Sequence, residues 1–444
     1  MATAANQGAR ASPGTAQHST MRRMKKQLLV AGGGIGGLAA ALGAARAGWD
    51  VRLYERAAEF SEIGAGVQLG PNGVRCLQAW GLQQPLQSVA AFPGRLQVRS
   101  ADSGKELAVL PLGPTALQRY GAAYATIHRA DLHGLLLAAL ARDTGTQLHL
   151  AQAVERFAEA DGRVTVHTSR ARAVTGDALI GADGLWSRTR TWLLGADPRL
   201  PGVDPRLLDV DPRLPQAVAP RVTGHLAYRA LVPQAALPDA LRTGQITVWL
   251  GPQLHAVHYP VRRGELQNLV VIVQGPAPQD LERWDQAANA ADLERALRRT
   301  CPALQDLVRS VSATGGASDG PLWRLWPLCD RPPVPAADAM ARGLVGLLGD
   351  AAHPMRPYLA QGAGMAIEDA AALERALAQA HLAVPQRLRR YALERWQRNA
   401  RVQARSTRNG RIFHATGALR WARDLALRLL GQRLLDMPWL YRGR

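Results

Sequence analysis

The chain has 444 residues, 47% of them hydrophobic and 20% charged, the balance of a soluble globular protein with room for two or three domains. A formal charge of +19 suggests a nucleic-acid binder, but the excess is confined to the ends: residues 1–26 hold five basic side chains and no acid, and residues 386–444 hold 15 arginines against Glu394, Asp424 and Asp436. The stretch between them is nearly neutral, so the basic end reads as a solvated helical face and not as a specific nucleic-acid contact.

In chain order, residues 1–26 are a small-residue and polar tail without the apolar core of a secretory signal. The sequence QLLVA at 27–31 reads as a buried strand, IGGLAAALGAARAG as a small-residue helix, and DVRLYER at 50–56 as a second strand. Together they make a βαβ unit of about 30 residues. The glycine density of 28–49 and the charge on Arg46 exclude a membrane span there. HRADLHGLLLAALAR at 128–142 reads as a helix capped near Asp131, and ALIGADG at 178–184 as another strand closed by an acid and a glycine. The phrase Asp-Pro-Arg-Leu then recurs at 197, 204 and 211, a proline-bearing repeat that no helix accommodates and that marks an exposed linker at 196–220. Strands are expected at 222–233, 245–250, 254–263 and 266–275, a helical patch at 291–310, and a further strand-like segment at 321–328. GLVGLL at 343–348 returns to a buried strand, and from 365 onward the pattern is helical to the end. Cys76, Cys301 and Cys329 show neither metal-ligand spacing nor a disulfide framework, which fits a reducing, cytoplasmic setting.

The chemistry concentrates in two places. Gly32, Gly34 and Gly37 satisfy G-x-G-x-x-G between a strand and a helix, with Ile35 and Gly36 inside the motif. These glycines permit a tight turn and close backbone approach to a pyrophosphate at the helix N-terminus. Glu55 follows 18 residues after Gly37, where an acid would hydrogen-bond a ribose hydroxyl. The second place is GDAAHPMRPYLAQGAGMAIEDA at 349–370, where Asp350 closes a buried strand and Gly362, Ala363 and Gly364 open a helix. The pattern is a ligand seat with a carboxylate at one end and free backbone N–H groups at the other.

Four separated stretches in order, the glycine motif with Glu55-Arg56, EIGAGVQLGPNG at 62–73, GADGLWSRTR at 181–190 and GDAAHP with QGAGMAIEDA, together with HRADL at Arg129, resemble the flavoprotein aromatic hydroxylases. These are single-component FAD monooxygenases that include salicylate, 3-hydroxybenzoate and 6-hydroxynicotinate hydroxylases. The resemblance runs from about residue 27 to 380. It implies an α/β protein: a Rossmann-like FAD-binding domain with an inserted β-sheet substrate domain and a C-terminal helical segment. The FAD-binding domain would comprise 27–100, 125–195 and 340–385, the substrate domain 101–124 and 221–339, and the helical segment 386–444.

The resemblance also implies roles. Asp350 would bind the ribityl or pyrophosphate region, residues 362–364 the flavin's pyrimidine edge, and Arg129 the ribityl-phosphate region. Asp183-Gly184 would serve FAD and the transient NADH or NADPH, which binds without a Rossmann unit of its own. Arg56, Gly66, Val67, Arg188, Gly349, Pro354 and Met365 complete the cofactor candidates. Through a C4a-hydroperoxyflavin formed from O2, such an enzyme would hydroxylate a small aromatic acid or phenol, salicylate-like first. The same fold acting on a kynurenine-like acid, a quinone precursor or an alkene is the second reading, and a basic-tail nucleic-acid or membrane binder the third.

On the substrate side the candidates are Tyr358, His225 and Tyr228, with Arg229 beside them. In a regular strand His225 and Arg229 share one face and Tyr228 points the other way. Gln68 stands where the hydroxynicotinate branch carries a histidine base, and glutamine is no base. His353 reads as a residue that shapes the flavin loop. No metal cluster is expected, and the chain is expected to be a monomer or homodimer. Its end, MPWLYRGR, departs from the WLYGYD-like phrase of those relatives. Leu419, Leu425, Leu429 and Leu430 among Arg420, Arg423 and Arg428 make an amphipathic helix expected to dock on the body or on another subunit.

Overall fold

The computed structural model describes residues 25–60, 65–143, 145–195, 219–281, 286–314 and 322–443. The Asp-Pro-Arg-Leu repeats and nearly all of the N-terminal tail lie outside these. The first strand, Gln27–Ala31, is apolar because it is central: Ala178–Gly181 pairs with it on one side and Asp50–Tyr54 on the other, both parallel. Val345–Leu347 and Thr146–His149 extend this sheet at either side, and Ala341–Arg342 closes one edge antiparallel. Three parallel strands thus end side by side at Ala31, Gly181 and Leu347, and their carboxyl ends define a crevice.

The helix Ile35–Arg46 is built of small residues because it lies against the helix Gly362–Leu377. A Cβ at Gly43 would stand 2.9 Å from the Ala370 carbonyl oxygen, so glycine permits the crossing.

The second sheet has eight strands, in the order 286–287, 324–330, 221–233, 266–274, 254–261, 246–251, 95–100 and 106–111. One face packs Leu226, Tyr228, Val271 and Ala256 against the helices Ala290–Leu297 and Pro302–Ala313. The other face carries His225, Ala227, Arg229, His255, Tyr259 and Asn268 toward the first domain.

Three expectations need correction, and one sheet adds to them. Strand Arg95–Ser100 pairs parallel with Ile246–Gly251, so the substrate sheet begins before the boundary expected at residue 100. A three-stranded sheet at 154–176 was not anticipated, since Val154–Ala160 exposes most of its side chains and lacks a buried apolar run. The helical patch at 291–310 is two helices, interrupted before Pro302, which starts the second. Asp131 does not cap the helix Arg129–Leu140, which begins beside it; its carboxylate accepts hydrogen bonds from Arg262 at 3.1 and 2.8 Å.

Beyond Gly362–Leu377 the chain is helical at Val384–Phe413, Gly417–Leu430, Gln432–Leu435 and Pro438–Tyr441. Helix Gly417–Leu430 docks on the body through Leu427, beside Val98 and Leu107, and leaves Trp421, Leu425 and Leu429 exposed. Among the described residues no helix is long and apolar enough to cross a membrane.

Candidate active site

At the crevice each glycine of the first motif has its own geometric reason. Gly32 has φ +101°, and a Cβ there would meet the Ala182 carbonyl oxygen at 2.4 Å. At Gly37 a Cβ would lie 1.9 Å from the Gly32 carbonyl oxygen. Gly34 faces open space, with nothing within 4 Å. That gap stands at the head of helix Ile35–Arg46, where backbone N–H groups are unpaired and no acid sits in the first turn. Glu55 does not reach outward as a sequence argument suggests: its two oxygens accept from the backbone N–H groups of Gly33 (2.7 Å) and Ala57 (2.8 Å). Each oxygen keeps a second acceptor direction for a hydroxyl. Arg56, next along, is exposed.

The second half of the seat opens beside the first. Leu348 and Ala366 would both be met by a Cβ on Gly36, so GDAAHP and the helix Gly362–Leu377 adjoin the glycine motif. Gly349 has φ +61°, which turns the chain as it leaves its strand. Asp350 is open to the crevice but ringed by protein; burial pushes its carboxyl up while His353, Arg129 and Arg190 pull it down. Helix Gly362–Leu377 also has no acid in its first turn, and Gly362 faces open space. Two helix heads and one carboxylate therefore line the same cleft. Met365 and Pro354 are buried beneath it, Met365 completely.

Several candidates have other work. Asp183 accepts from Ser187 Oγ (2.5 Å) and from Thr189 N and Oγ1 (both 3.0 Å), so its carboxylate secures the helix Arg188–Leu193 while its backbone lies against Gly32. Gly184, at φ +78°, forms the turn. Arg188 lies on the surface, 3.8 Å from Glu155. Gly66 and Val67 lie on a strand paired with Ala125–His128; the Gly66 N–H donates to Asn268 Oδ1 (2.8 Å), and a Cβ on Gly66 would collide with Asn268 and Tyr259. Gly66 lets the two domains close.

Arg190 is the residue that the sequence did not reveal. It is fully buried and donates to the carbonyls of Ala351 (2.9 Å) and Leu185 (2.7 Å), joining the two strand-end motifs.

On the sheet face, the structure brings two substrate candidates together and removes the third. Tyr358 Oη lies 2.7 Å from His225 Nδ1. Tyr228 points to the opposite face, into the core with Leu293 and Leu297, because side chains alternate along the strand. Arg229 shares the His225 face; its guanidinium lies 3.7 Å over the Trp326 ring, and burial lowers its pKa to about 10, which leaves it charged at neutral pH. Gln68 is buried and accepts from Tyr124 Oη at 2.8 Å. Behind His225 stand His255 and His414, with His255 Nδ1 2.8 Å from His414 Nε2.

Burial holds all three histidines below the ordinary imidazole range, His414 at about 3. The unfolded chain therefore binds protons that the folded one refuses, and stability is complete above about pH 6.5 and declines below it. Urea denaturation between pH 7 and 5 is expected to show a loss on the order of 1 kcal/mol per pH unit for each of His255 and His414. A His255→Phe, His414→Phe double variant is expected to flatten that slope.

A cleft with two unneutralised helix heads, a glycine opening between them and a recessed carboxylate fits a dinucleotide with a pyrophosphate. A family model described as FAD binding domain matches residues 25–228 and 326–406. The 3-hydroxybenzoate 6-hydroxylase of Polaromonas naphthalenivorans (strain CJ2) is 37% identical over 418 residues, covering 93% of this chain and 95% of that protein. The chain belongs to the flavoprotein aromatic hydroxylases.

A second hydroxylase relative, 3-hydroxybenzoate 6-hydroxylase 1 of Aquipseudomonas alcaligenes, is 35% identical over 397 residues, covering 89% of this chain and 91% of that one. A salicylate hydroxylase solved as a substrate complex superposes with a TM-score of 0.74 at 27% identity, over 94% of this chain and 95% of its own. As a flavoprotein aromatic hydroxylase the protein is an FAD-dependent monooxygenase, with NAD(P)H as reductant and O2 as oxygen source. When bound, FAD supplies the oxygen activation; the protein's own residues bind, orient and shield.

Proposed function

We propose that this hydroxylase acts on a monohydroxylated benzoate, 3-hydroxybenzoate foremost, and adds oxygen at C6, para to the existing hydroxyl. The observation that supports it is the placement of the Arg229 guanidinium on the same buried sheet face as the Tyr358–His225 hydroxyl–imidazole pair. Arg229 matches a carboxylate; its guanidinium fork suits two carboxylate oxygens, and its stacking on Trp326 keeps it flat. Tyr358 and His225 match a phenol. Burial raises the Tyr358 hydroxyl far above the neutral range, so Tyr358 stays protonated and is no base. With His225 in the tautomer that leaves Nδ1 unprotonated, the Tyr358 oxygen accepts the substrate's hydrogen bond while its own proton is donated to Nδ1, giving the phenolic proton a two-step path to an imidazole. The hydroxybenzoate hydroxylase relatives point to the same substrate by name. Three free cysteines suit work in a reducing cytoplasm.

A panel of benzoates tests the reading: 3-hydroxybenzoate is expected to stimulate NADH or NADPH oxidation, and benzoate without a hydroxyl is not. No stimulation by any hydroxybenzoate would turn the assignment toward another aromatic acid. Tyr358→Phe is expected to lower kcat by roughly 100-fold, the scale of a positioned proton-transfer group, with FAD content unchanged. Unchanged hydroxylation and coupling in that variant would remove the dyad from the mechanism.

A further inference from the structure

The C-terminal turn Pro438–Tyr441 is joined to the cofactor cleft by a run of buried charged groups. Its carbonyls at Trp439 and Leu440 accept from Arg398 at 3.0 and 2.7 Å. The same guanidinium donates to both Glu368 oxygens, at 2.6 and 2.7 Å. Glu368 in turn accepts from Asn72 Nδ2 (2.7 Å), and that amide also donates to Gln361 Oε1 (2.9 Å), the residue immediately before the glycines at the helix head.

A second branch leaves from Arg395, which donates to Glu368 (2.8 Å) and Asp369 (2.7 Å). The other Asp369 oxygen accepts from the Gly349 N–H (3.2 Å) and lies 2.5 Å from His353 Nε2, so it grips both ends of the GDAAH turn. Glu368, Asp369 and Arg395 are almost wholly buried. Arg75 ties down the last carbonyl, donating to Tyr441 (2.7 Å), and the Tyr441 ring packs edge-on against Tyr124, the partner of Gln68.

We propose that the C-terminal turn 438–441 is a positioning element of the FAD seat, acting through Arg398 and Glu368 on the helix head at 361–364 and through Arg395 and Asp369 on the loop at 349–353. The turn touches no reacting atom. Its carbonyls complete the donor set of Arg398, and that arginine is one of two cations compensating Glu368. With Arg398 disengaged, Glu368 is left with an extra acceptor beside Asn72, and the Asn72–Gln361 bond loses its register. The positive helix heads that face the cofactor would then shift, although their sequence is intact.

The test uses the holoenzyme. FAD release on dilution is followed by recovery of free-flavin fluorescence, alongside visible circular dichroism of the bound flavin. Arg398→Met is expected to speed release roughly 10-fold, the scale seen when supporting partners of ligand-holding groups are removed, and to change the flavin dichroism. Arg398→Lys is expected to recover part of the loss. A chain ending at Met437 is expected to behave as Arg398→Met does, and the two changes combined are expected to add little, because they act through one contact. Arg389→Ala, on an exposed arginine paired with Asp338, serves as the control and is expected to leave release unchanged. If Arg398→Met lowers Tm but leaves FAD release and dichroism as in the parent, the network is structural only and the proposal falls. Should Arg398→Met fail to fold, the chain ending at Met437 decides: parental release and dichroism would overturn the proposal.

Discussion

A Gly34→Ala enzyme is expected to fold and purify colourless, whereas Gly37→Ala is expected to lose both FAD and stability. The two glycines belong to one motif but differ in what surrounds them. A Cβ at Gly34 meets nothing of the protein within 4 Å, and its extended backbone suits alanine. The added methyl would occupy only the space where a pyrophosphate approaches the helix head. At Gly37 the Cβ would overlap the Gly32 carbonyl oxygen at 1.9 Å, so the strand–helix turn itself must open. Overpacking of this kind costs about 1–3 kcal/mol. Fluorescence titration of the apoprotein with FAD, set beside its Tm, separates the cases: Gly34→Ala loses affinity at constant Tm, and Gly37→Ala loses both.

Arg395→Met is expected to destabilise the protein by about 3–5 kcal/mol, since it takes one cation from each of two buried carboxylates, leaving Arg398 on Glu368 and His353 on Asp369. Domains are stable by only about 5–15 kcal/mol, so urea denaturation would show a large drop in midpoint. The same network sets an acid limit. Burial works to raise Asp369, but His353 and Arg395 overcome it and hold the carboxyl far below its usual range; at Glu368, Arg395 and Arg398 overcome burial in the same way. Both acids are depressed in the folded state, so their contribution is complete above about pH 4 and is lost as pH falls further. In Arg395→Met both carboxyls are held less low, so that acid-side loss is smaller.

What the sequence made legible was local. The βαβ unit, the glycine motif and the strand at 178–181 depend on neighbours within a few residues, and each stands where its pattern indicates. The alternation that separates His225 and Arg229 from Tyr228 was equally readable, because it needs only the period of a strand. Long-range facts were not. Arg190 resembles any helical arginine until Ala351, 161 residues away, closes over it. Glu368 and Asp369 read as the polar part of a helix, and only the fold places Arg395 and Arg398 against them. The domain boundary expected at residue 100 falls after strand 95–100 because that strand's partner at 246–251 lies far along the chain. Glu55 stands at the end of its strand as the spacing indicates, but its engagement with two backbone N–H groups depends on atomic detail that spacing does not carry.

With FAD bound, the chain is expected to insert one atom of O2 into the ring of the hydroxybenzoate proposed as its substrate. Turnover of 3-hydroxybenzoate with NADH or NADPH under 18O2, with mass analysis of the product, tests it most directly. The expected result is 2,5-dihydroxybenzoate carrying a single 18O, formed in step with reductant consumption by a yellow, FAD-containing enzyme. Recovery of unlabelled 3-hydroxybenzoate, and of each isomeric hydroxybenzoate supplied in its place, with no labelled product, would contradict the account.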